Sequence, residues 1–200
     1  MRGETGSQER PTFGILVFDD VEVLDFAGPY EVLTEARDER NQPCCTVIMV
    51  APAPEVRCRG GLRVRADAVM GETPPLDLVV VPGGPGTRAE GDVLERLVSF
   101  VREQHQLRVP VASVCTGAFV LARAGLLDGL SATTHHDWMD ALRTAHPAVH
   151  VVTGKVVDQG DVLTSGGIAS GIDLALHLVG RWFGMDARAR AAERLEGPWR

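Results

Sequence analysis

The residue best placed to do chemistry is Cys115, which stands where a short apolar run changes into a helical pattern. The run Val109–Ser113 predicts a buried strand, and the segment Thr116–Ala124 predicts a helix. The five residues Ser113-Val-Cys-Thr-Gly117 have the spacing of the G-x-S-x-G nucleophile elbow, with serine in place of the leading glycine. Because such a turn presents its central side chain at the edge of a sheet, the pattern predicts an accessible, reactive thiol.

A cysteine at this position has two chemical interpretations. At a helix N-terminus, free N–H groups and the helix dipole favour the thiolate, which lowers the thiol pKa from its usual value of about 8.5. The same N–H groups can stabilise negative charge that develops on a substrate. The competing interpretation is a small buried apolar residue, the usual fate of a single cysteine. Spacing alone does not decide, but Gly83-Gly84 after another predicted strand favours the first, because free backbone N–H groups there suit an anion-stabilising pocket.

A nucleophile needs an acid–base partner, and three residues are candidates. Asp25, in Leu24-Asp-Phe-Ala-Gly-Pro29, follows the first predicted strand and flanks the start of a helix, where aspartate also serves as an N-terminal cap. His135 follows another predicted strand and is otherwise an ordinary loop histidine. Asp173 lies inside a predicted helix, where it can simply hydrogen-bond to nearby backbone. Hydrophobic periodicity cannot choose among them.

The other cysteines and histidines do not indicate a metal site. No group of His, Cys, Asp and Glu has metal-ligand spacing, and we expect neither a metal nor another cofactor. Cys44 and Cys45 open an apolar run, which predicts one buried strand residue and its neighbour. Cys58 lies in a polar stretch, where it could pair or oxidise, but no nearby residue activates it. None of the cysteines forms a C-x-x-C pair, and a reducing cytoplasm disfavours structural disulfides.

The elements that must position these residues alternate along the chain, with short β-branched runs separated by longer segments of helical spacing. The predicted strands are Thr12–Phe18, Cys45–Ala51, Leu76–Pro82, Val109–Ser113 and Ser131–Thr134, with shorter extended pieces at Val149–Val152, Val156–Asp158 and Asp161–Thr164. The predicted helices are Gly28–Arg37, Asp92–His105, Thr116–Ala124, Asp137–Ala145, Ile168–Phe183 and Ala187–Leu195. Arg57–Ala68, which alternates around Gly60-Gly61, predicts a small hairpin off the main sheet.

Near-continuous apolar strands separated by helices are typical of a parallel sheet that helices cover on both faces. The predicted fold class is therefore α/β with a mainly parallel sheet. Ligands of such sheets bind at the carboxyl ends of the strands, and three segments fall there: Gly83-Gly84, Cys115-Thr116 and Thr134-His135-His136. Trp138, just beyond the third segment, is expected as a core aromatic, with a place in the wall of a cleft as the alternative.

The length and composition of the chain limit the kinds of function that it could have. The 200 residues suit one domain, which we place at residues 12–200 after a polar, disordered tail at residues 1–11. The net charge of −7, with acidic and basic residues interspersed, makes nucleic acids and anionic membranes poor partners. The tail lacks the apolar core of a signal peptide, and charged residues interrupt the most apolar helix, Ile168–Phe183. We therefore expect a cytoplasmic protein that acts on a small molecule.

Seven short motifs follow one another from about residue 12 to residue 195. They are Phe13-Gly-Ile-Leu-Val-Phe18, Leu24-Asp-Phe-Ala-Gly-Pro29, Pro82-Gly-Gly84, Ser113-Val-Cys-Thr-Gly-Ala118, Ala124-Gly-Leu-Leu127, Ala132-Thr-Thr-His135 and Leu163-Thr-Ser-Gly-Gly-Ile-Ala-Ser-Gly-Ile-Asp173. Each is weak alone, but in this order they resemble the DJ-1/PfpI superfamily (class I glutamine amidotransferase-like), and within it the isonitrile hydratase-like subgroup. The resemblance implies a flavodoxin-like three-layer α/β sandwich that usually forms homodimers.

The resemblance also implies roles for individual residues. Cys115 would be the nucleophile, and Asp25 the carboxyl group that hydrogen-bonds its sulfur. Thr116 would be the hydroxyl beside the nucleophile. Gly84, with Gly83 as an auxiliary, would offer a backbone N–H to an oxyanion or its equivalent.

The activity that the resemblance implies is cofactor-independent conversion of an isonitrile into an N-substituted formamide. His135 matches a family histidine near the cysteine and is a further auxiliary candidate. Thr116 departs from the PfpI-type proteases and many glyoxalase-type relatives, which have histidine directly after the nucleophile, and this disfavours a protease. Two alternatives stay open: glyoxalase-like conversion of a reactive aldehyde through a hemithioacetal at Cys115, and a non-catalytic small-molecule or redox sensor in which Cys115 oxidises. The motifs also occur in N-terminal domains of AraC-type regulators, but this chain ends near residue 200 without a helix-turn-helix module, so we do not expect a complete regulator of that kind.

Overall fold

The computed structural model describes residues 10–199 of the chain. The predicted disordered tail, residues 1–11, lies outside the described residues except at its last two positions, where the carbonyl of Pro11 accepts a hydrogen bond from the N–H of Thr46 at 2.9 Å. The strands are β1 (Thr12–Leu16), β2 (Thr46–Ala51), β3 (Glu55–Arg57), β4 (Arg63–Arg65), β5 (Ala68–Val69), β6 (Leu78–Val81), β7 (Val111–Val114), β8 (Ser131–Ala132), β9 (His150–Val151), β10 (Val156–Asp158) and β11 (Val162–Ser165). The helices are α1 (Val23–Thr34), α2 (Asp92–Gln106), α3 (Gly117–Arg123), α4 (Met139–Ala145), α5 (Ser170–Phe183) and α6 (Met185–Arg194), with short 3-10 helices at Pro85–Thr87 and His136–Trp138.

The central sheet has seven strands in the order β10-β11-β7-β6-β1-β2-β5. Its neighbouring strands run parallel, except that β10 is antiparallel to β11. In β6, β7 and β11 every residue is buried, as expected for parallel strands that are covered on both faces. Val81 of β6 lies beside Ser113 of β7, and Val114 of β7 beside Ser165 of β11. The carboxyl ends of these three strands therefore meet at one edge of the sheet.

The helices form the two outer layers. Helix α1 packs against α5 and α5 against α6, while α2 packs against α3. Helix α2 buries Leu94, Leu97, Val98 and Val101, which are positions that its helical spacing predicts. The predicted α/β sandwich with a mainly parallel sheet is confirmed. Among the described residues, no helix combines the length and the apolar character needed to cross a membrane.

Helix α1 differs most from its predicted bounds. The sequence predicts a helix over Gly28–Arg37, because proline is frequent in the first turn. The helix instead begins at Val23, and Pro29 lies in its interior. Because proline has no N–H, the carbonyl of Asp25 four residues earlier lacks its usual helical partner. Asp25 therefore lies in the first turn of α1, and its predicted alternative role as the N-terminal cap is wrong.

The segment that leads to His135 does not belong to the central sheet. The predicted strand Ser131–Thr134 shortens to β8, which pairs with β9 in a separate two-stranded sheet. The chain returns to the central sheet beyond β8, where the N–H of Thr133 donates to Thr164 Oγ1 of β11 at 2.9 Å. The predicted hairpin over Arg57–Ala68 is present as the antiparallel pair β3–β4, also outside the central sheet.

Candidate active site

Cys115 occupies the sharp turn between β7 and α3, as the elbow pattern predicts. Its φ of 55° is in the left-handed region, where residues other than glycine store about 1–3 kcal/mol of strain. Its N–H donates to the carbonyl of Gly166 at 2.9 Å, and its carbonyl accepts from Thr134 Oγ1 at 2.7 Å. A Cβ on Gly117 would lie 2.1 Å from the carbonyl oxygen of Val81, so the trailing glycine of the elbow is needed for the close approach of α3 to β6.

The thiol of Cys115 is less accessible than the elbow pattern predicts, since only 7% of the residue is exposed. The backbone N–H groups of Thr116 and Ile168 lie near its sulfur and act to lower the pKa of the thiol. Ile168 also has a positive φ, 42°, which is unusual for a β-branched residue. Two residues with strained backbones therefore meet at the sulfur: Cys115, which carries it, and Ile168, whose N–H lies near it. The sequence gives no signal for Ile168 beyond its place after Gly166-Gly167.

The carboxyl group of Asp25 lies beside this thiol and is fully buried. Its Oδ2 accepts the N–H of Gly83 at 3.0 Å, whereas Oδ1 is buried with no hydrogen-bond partner among residues 10–199. A Cβ on Gly83 would lie 2.6 Å from the nitrogen of Thr116 and 2.8 Å from Asp25 Oδ2. Only glycine at position 83 allows the carboxyl group and the elbow to approach this closely.

Burial sets the protonation of the Cys115–Asp25 pair. Loss of hydration raises the pKa of Asp25 from 3.8 to about 7, although the Gly83 N–H and the Cys115 thiol oppose the shift. Burial, and then the charge of Asp25, raise the pKa of Cys115 to about 12. The prediction of a lowered thiol pKa is therefore wrong, because desolvation outweighs the N–H groups at the start of α3. Between these two pH values the pair holds one proton, which either the sulfur or the carboxyl oxygen can carry.

The hydroxyl of Thr116 holds the Gly83-Gly84 loop against the elbow. Its Oγ1 accepts the N–H of Gly84 at 2.9 Å and the Thr87 hydroxyl at 3.0 Å, and Thr116 is 2% exposed. The N–H of Gly84 thus donates to a side chain in this structure, and its role toward an oxyanion stays a prediction. The N–H groups that face the reactive atom are those of Thr116 and Ile168.

His135 contacts the site through a neighbour. Its ring packs so closely on Gly167 that a Cβ there would lie 2.0 Å from His135 Cδ2, and Gly167 precedes Ile168. Its Nδ1 accepts the N–H of Asp137 at 3.2 Å, and its ring stacks on His136 at 4.3 Å. None of its described hydrogen bonds reaches the cysteine or its carboxyl partner, so the geometry favours a supporting role.

Asp173 and a cluster around His135 are two further groups whose side chains could act as acids or metal ligands. Asp173, a candidate acid from the sequence, lies in the first turn of α5 and pairs with Lys155 Nζ at 3.3 Å. His135, His136 and Asp137 each bring one possible metal-ligand atom within 4.8 Å of the others, a grouping that the sequence analysis does not identify. All three lie on one turn, and His136 and Asp137 are exposed.

A cleft of about 420 Å³ opens beside the Gly83-Gly84 loop. Thr87 and Arg88 line it on the side of the loop, and Phe119 and Trp138 contribute aromatic walls. Trp138 therefore has both roles considered from the sequence, since it also packs against the core and edge-on against Phe119 at 6.4 Å. Thr87 and Arg88 were not predicted as site residues, and their only signal in the sequence is that they follow the turn Pro82-Gly-Gly-Pro-Gly86.

The other thiols lie away from the elbow. Cys45 is buried and donates to the carbonyl of Leu33 at 3.4 Å, and Cys44 beside it is half-buried, as the apolar run predicts. Cys58 is 1% exposed, and burial raises the pKa of its thiol. All four cysteines are free thiols.

Comparison with known proteins identifies relatives of two kinds. The sequence model of the DJ-1/PfpI family matches residues 13–181. The isonitrile hydratase of Pseudomonas putida is 36% identical over 185 residues, which are 92% of this chain and 77% of that protein. The HTH-type transcriptional regulator GbdR of Pseudomonas aeruginosa (strain UCBPP-PA14) is 30% identical over 91% of this chain but only 49% of its own length. The chain thus spans about half the length of this regulator.

Solved structures agree on the fold. A ThiJ/PfpI family protein from Pseudomonas syringae superposes with a TM-score of 0.83 and 26% identity, covering 94% of this chain and 76% of that chain. Oxidised DJ-1 from Toxoplasma gondii superposes with a TM-score of 0.77 and 23% identity, covering 94% and 99%. The resemblance inferred from the seven motifs is confirmed.

Proposed function

Because the chain belongs to the DJ-1/PfpI family, we propose that it is a cofactor-independent hydratase in which Cys115 converts an isonitrile into an N-substituted formamide. The observation that carries this proposal is the carboxyl group of Asp25, buried beside the thiol with its pKa raised to about 7. At neutral pH the pair can thus supply both a nucleophilic sulfur and a proton. The 36% identity to an isonitrile hydratase over 92% of the chain supports the same reaction class.

In the first step the sulfur of Cys115 attacks the terminal carbon of R–N≡C, and the proton shared with Asp25 passes to that carbon. A C–S bond forms, and the product is the thioimidate S–CH=N–R with Asp25 left as a carboxylate. The nearby N–H groups of Thr116 and Ile168 favour the anionic sulfur and so partly offset the cost of its burial.

In the second step the Asp25 carboxylate takes a proton from water as the water oxygen attacks the thioimidate carbon. That proton passes to the nitrogen, which gives a tetrahedral adduct. The adduct collapses when the C–S bond breaks and the hydroxyl proton returns to the Cys115–Asp25 pair. The released R–NH–CHO contains the atoms of one water, and no oxidant, reductant or cofactor is consumed.

The surroundings of Thr116 favour this chemistry over glyoxalase-like conversion of an aldehyde. The residue directly after the nucleophile is Thr116 and not an acid–base histidine. Its hydroxyl is already engaged by Gly84 and Thr87. A mechanism with one carboxyl group as acid and base needs no such histidine. The hemithioacetal route is tested beside the isonitrile assay by measuring lactate formed from methylglyoxal.

A non-catalytic sensor is the second candidate, and the 30% identity to the regulator GbdR over 91% of the chain favours it. In that case the pocket would bind a small molecule without turnover, or Cys115 would record oxidation. Intact mass after mild peroxide measures the second possibility, since a redox sensor should gain oxygen selectively at Cys115.

The test is to incubate the purified protein with cyclohexyl isocyanide and with 4-nitrophenyl isocyanide and to follow the formamides. We expect turnover by the wild type and none by Cys115→Ala. Cys44→Ala, which removes a half-buried thiol away from the elbow, is the matched control and should remain active. Absence of formamide from both compounds, or full turnover by Cys115→Ala, would refute the proposal. The homodimer and the cytoplasmic location stay predictions, for which sedimentation and cell fractionation are the measurements.

A further inference from the structure

Arg88 is the cation nearest in sequence to the Gly83-Gly84 loop, and its environment is unusual. Its Nε atom is buried and has no hydrogen-bond partner in the described part of the chain. Its guanidinium carbon lies 3.5 Å from the centre of the Trp138 ring, a stacked cation–π arrangement. The aromatic ring thus fixes the guanidinium plane while its Nε donor stays unused.

A second guanidinium belongs to the same cleft. Arg123, in the last turn of α3, lines it together with Arg88, and Phe119 and Ala141 add apolar surface. None of the ion pairs formed among residues 10–199 includes Arg88 or Arg123. A half-buried arginine without a counter-ion is unfavourable, and an anionic ligand would relieve this.

The cleft is linked to the elbow that carries the nucleophile through Thr87. Thr87, which lines it, hydrogen-bonds at 3.0 Å to the hydroxyl of Thr116, the residue after Cys115. Burial lowers the pKa of Arg88, and an ionised Cys115 thiol opposes this shift. A molecule seated against Arg88 would therefore lie next to Thr87, one hydrogen bond away from the elbow that carries the reactive sulfur.

We propose that this cleft is a substrate subsite for a carboxylate group and that Arg88 selects isonitriles which carry one on a small aromatic or aliphatic body. The guanidinium fork matches a carboxylate in two parallel hydrogen bonds, and the aromatic walls match the apolar body. A volume of about 420 Å³ is within the range of small-molecule sites. The inference rests on the proposed function for the reaction, but not for the binding of the carboxylate.

The kinetic test compares 4-isocyanobenzoate with its methyl ester. The wild type should prefer the acid, and Arg88→Met should reduce the ratio of kcat/KM for acid to ester about 10- to 100-fold, as expected for a lost hydrogen bond to a charged group. Arg88→Lys, which keeps the charge but not the fork, should retain part of the preference. Arg65→Met removes an exposed arginine of β4 and is the matched control, which should leave the ratio unchanged.

A binding test separates this inference from the proposed function. Benzoate should change the fluorescence of Trp138, methyl benzoate should have a much smaller effect, and Trp138→Phe should remove the change. Arg88-dependent benzoate binding without any isonitrile turnover would support the subsite and refute the hydratase. Isonitrile turnover with equal acid-to-ester ratios in the wild type and Arg88→Met would refute the subsite and leave the hydratase standing. A wild type that binds benzoate no better than methyl benzoate also overturns the inference.

Discussion

Replacing Asp25 with asparagine should stabilise the folded protein near and above neutral pH while it removes the activity. The side chain is fully buried, and one of its oxygens has no hydrogen-bond partner among the described residues. Asparagine keeps the shape of the group and can still accept the N–H of Gly83 through its oxygen. It cannot ionise, so the free energy of burying a charge at this position disappears.

The magnitude follows from the pKa of Asp25, which burial raises from 3.8 to about 7. Between these values the folded protein holds a proton that the unfolded chain has released. The contribution of this group to the free energy of unfolding therefore falls as the pH rises from about 4 to about 7, and is constant above that. Three pH units at about 1.36 kcal/mol each give an upper limit of about 4 kcal/mol.

The assay is urea unfolding of both proteins at pH 5 and at pH 8. The stability of Asp25→Asn relative to the wild type should be larger at pH 8 by about 2–3 kcal/mol, since about two of the three units lie in this window. Comparing two proteins at each pH cancels the other titrating groups. Asp140→Asn, at a carboxyl group whose side chain is 97% exposed, is the control and should give the same difference at both pH values. Equal differences for Asp25→Asn at pH 5 and pH 8 would refute the assignment of a buried, neutral carboxyl group.

Three further predictions concern the same site. The kcat/KM for a neutral isonitrile should rise about tenfold per pH unit below pH 7 and level off above it, because the reactive pair must first lose one of its two protons; a rate that falls through pH 7 would contradict the mechanism. Gly83→Ala should lower turnover about 100-fold, because its Cβ would lie 2.6 Å from the backbone nitrogen of Thr116 and must displace the elbow. Gly154→Ala is the control: the nearest atom to its Cβ would be 3.5 Å away, and turnover should not change. Thr116→Val should reduce the free energy of unfolding by about 1–3 kcal/mol because it leaves the N–H of Gly84 buried without an acceptor, and Thr116→Ser should recover most of that loss in urea titrations.

The sheet and the elbow are predictable from the sequence because their signals are local. Continuous apolar runs such as Leu78–Val81 need burial on both faces, and this requirement alone specifies parallel strands between two helical layers. The location of Cys115 in the turn between β7 and α3 is predictable in the same way, because the apolar run changes into a helical pattern at this residue. Whether the turn exposes or buries the thiol is not a local property. The start of α1 was not predictable by the same reasoning. Pro29 indicates a first turn, and only the packing of α1 on α5 makes an interior proline acceptable.

Protonation and hydrogen bonding at the site depend on contacts between distant segments, and the sequence contains no local signal for them. The helix N-terminus predicts a lowered pKa for Cys115, but burial raises this pKa, and burial depends on segments far along the chain. Likewise, the N–H of Gly84 is free in any local description of its loop. It is engaged only because Thr116, 32 residues later, arrives beside it. The cleft residues Thr87 and Arg88 were missed for the same reason.

The features that make this site reactive are those that oppose folding. Cys115 and Ile168 both have strained backbones, and the pair they surround gains a buried charge as the pH rises through about 7. In the folded protein Asp25 keeps its proton up to about pH 7, so the free energy of unfolding falls as the pH rises toward that value. Over the same range the fraction of the pair that holds a single proton rises, and this is the form that the proposed attack on an isonitrile requires. Stability and reactivity should therefore change in opposite directions over the same pH range. A site whose only function was structural would gain nothing from this arrangement, and an asparagine beside Cys115 would hold the same loop with no pH-dependent loss of stability.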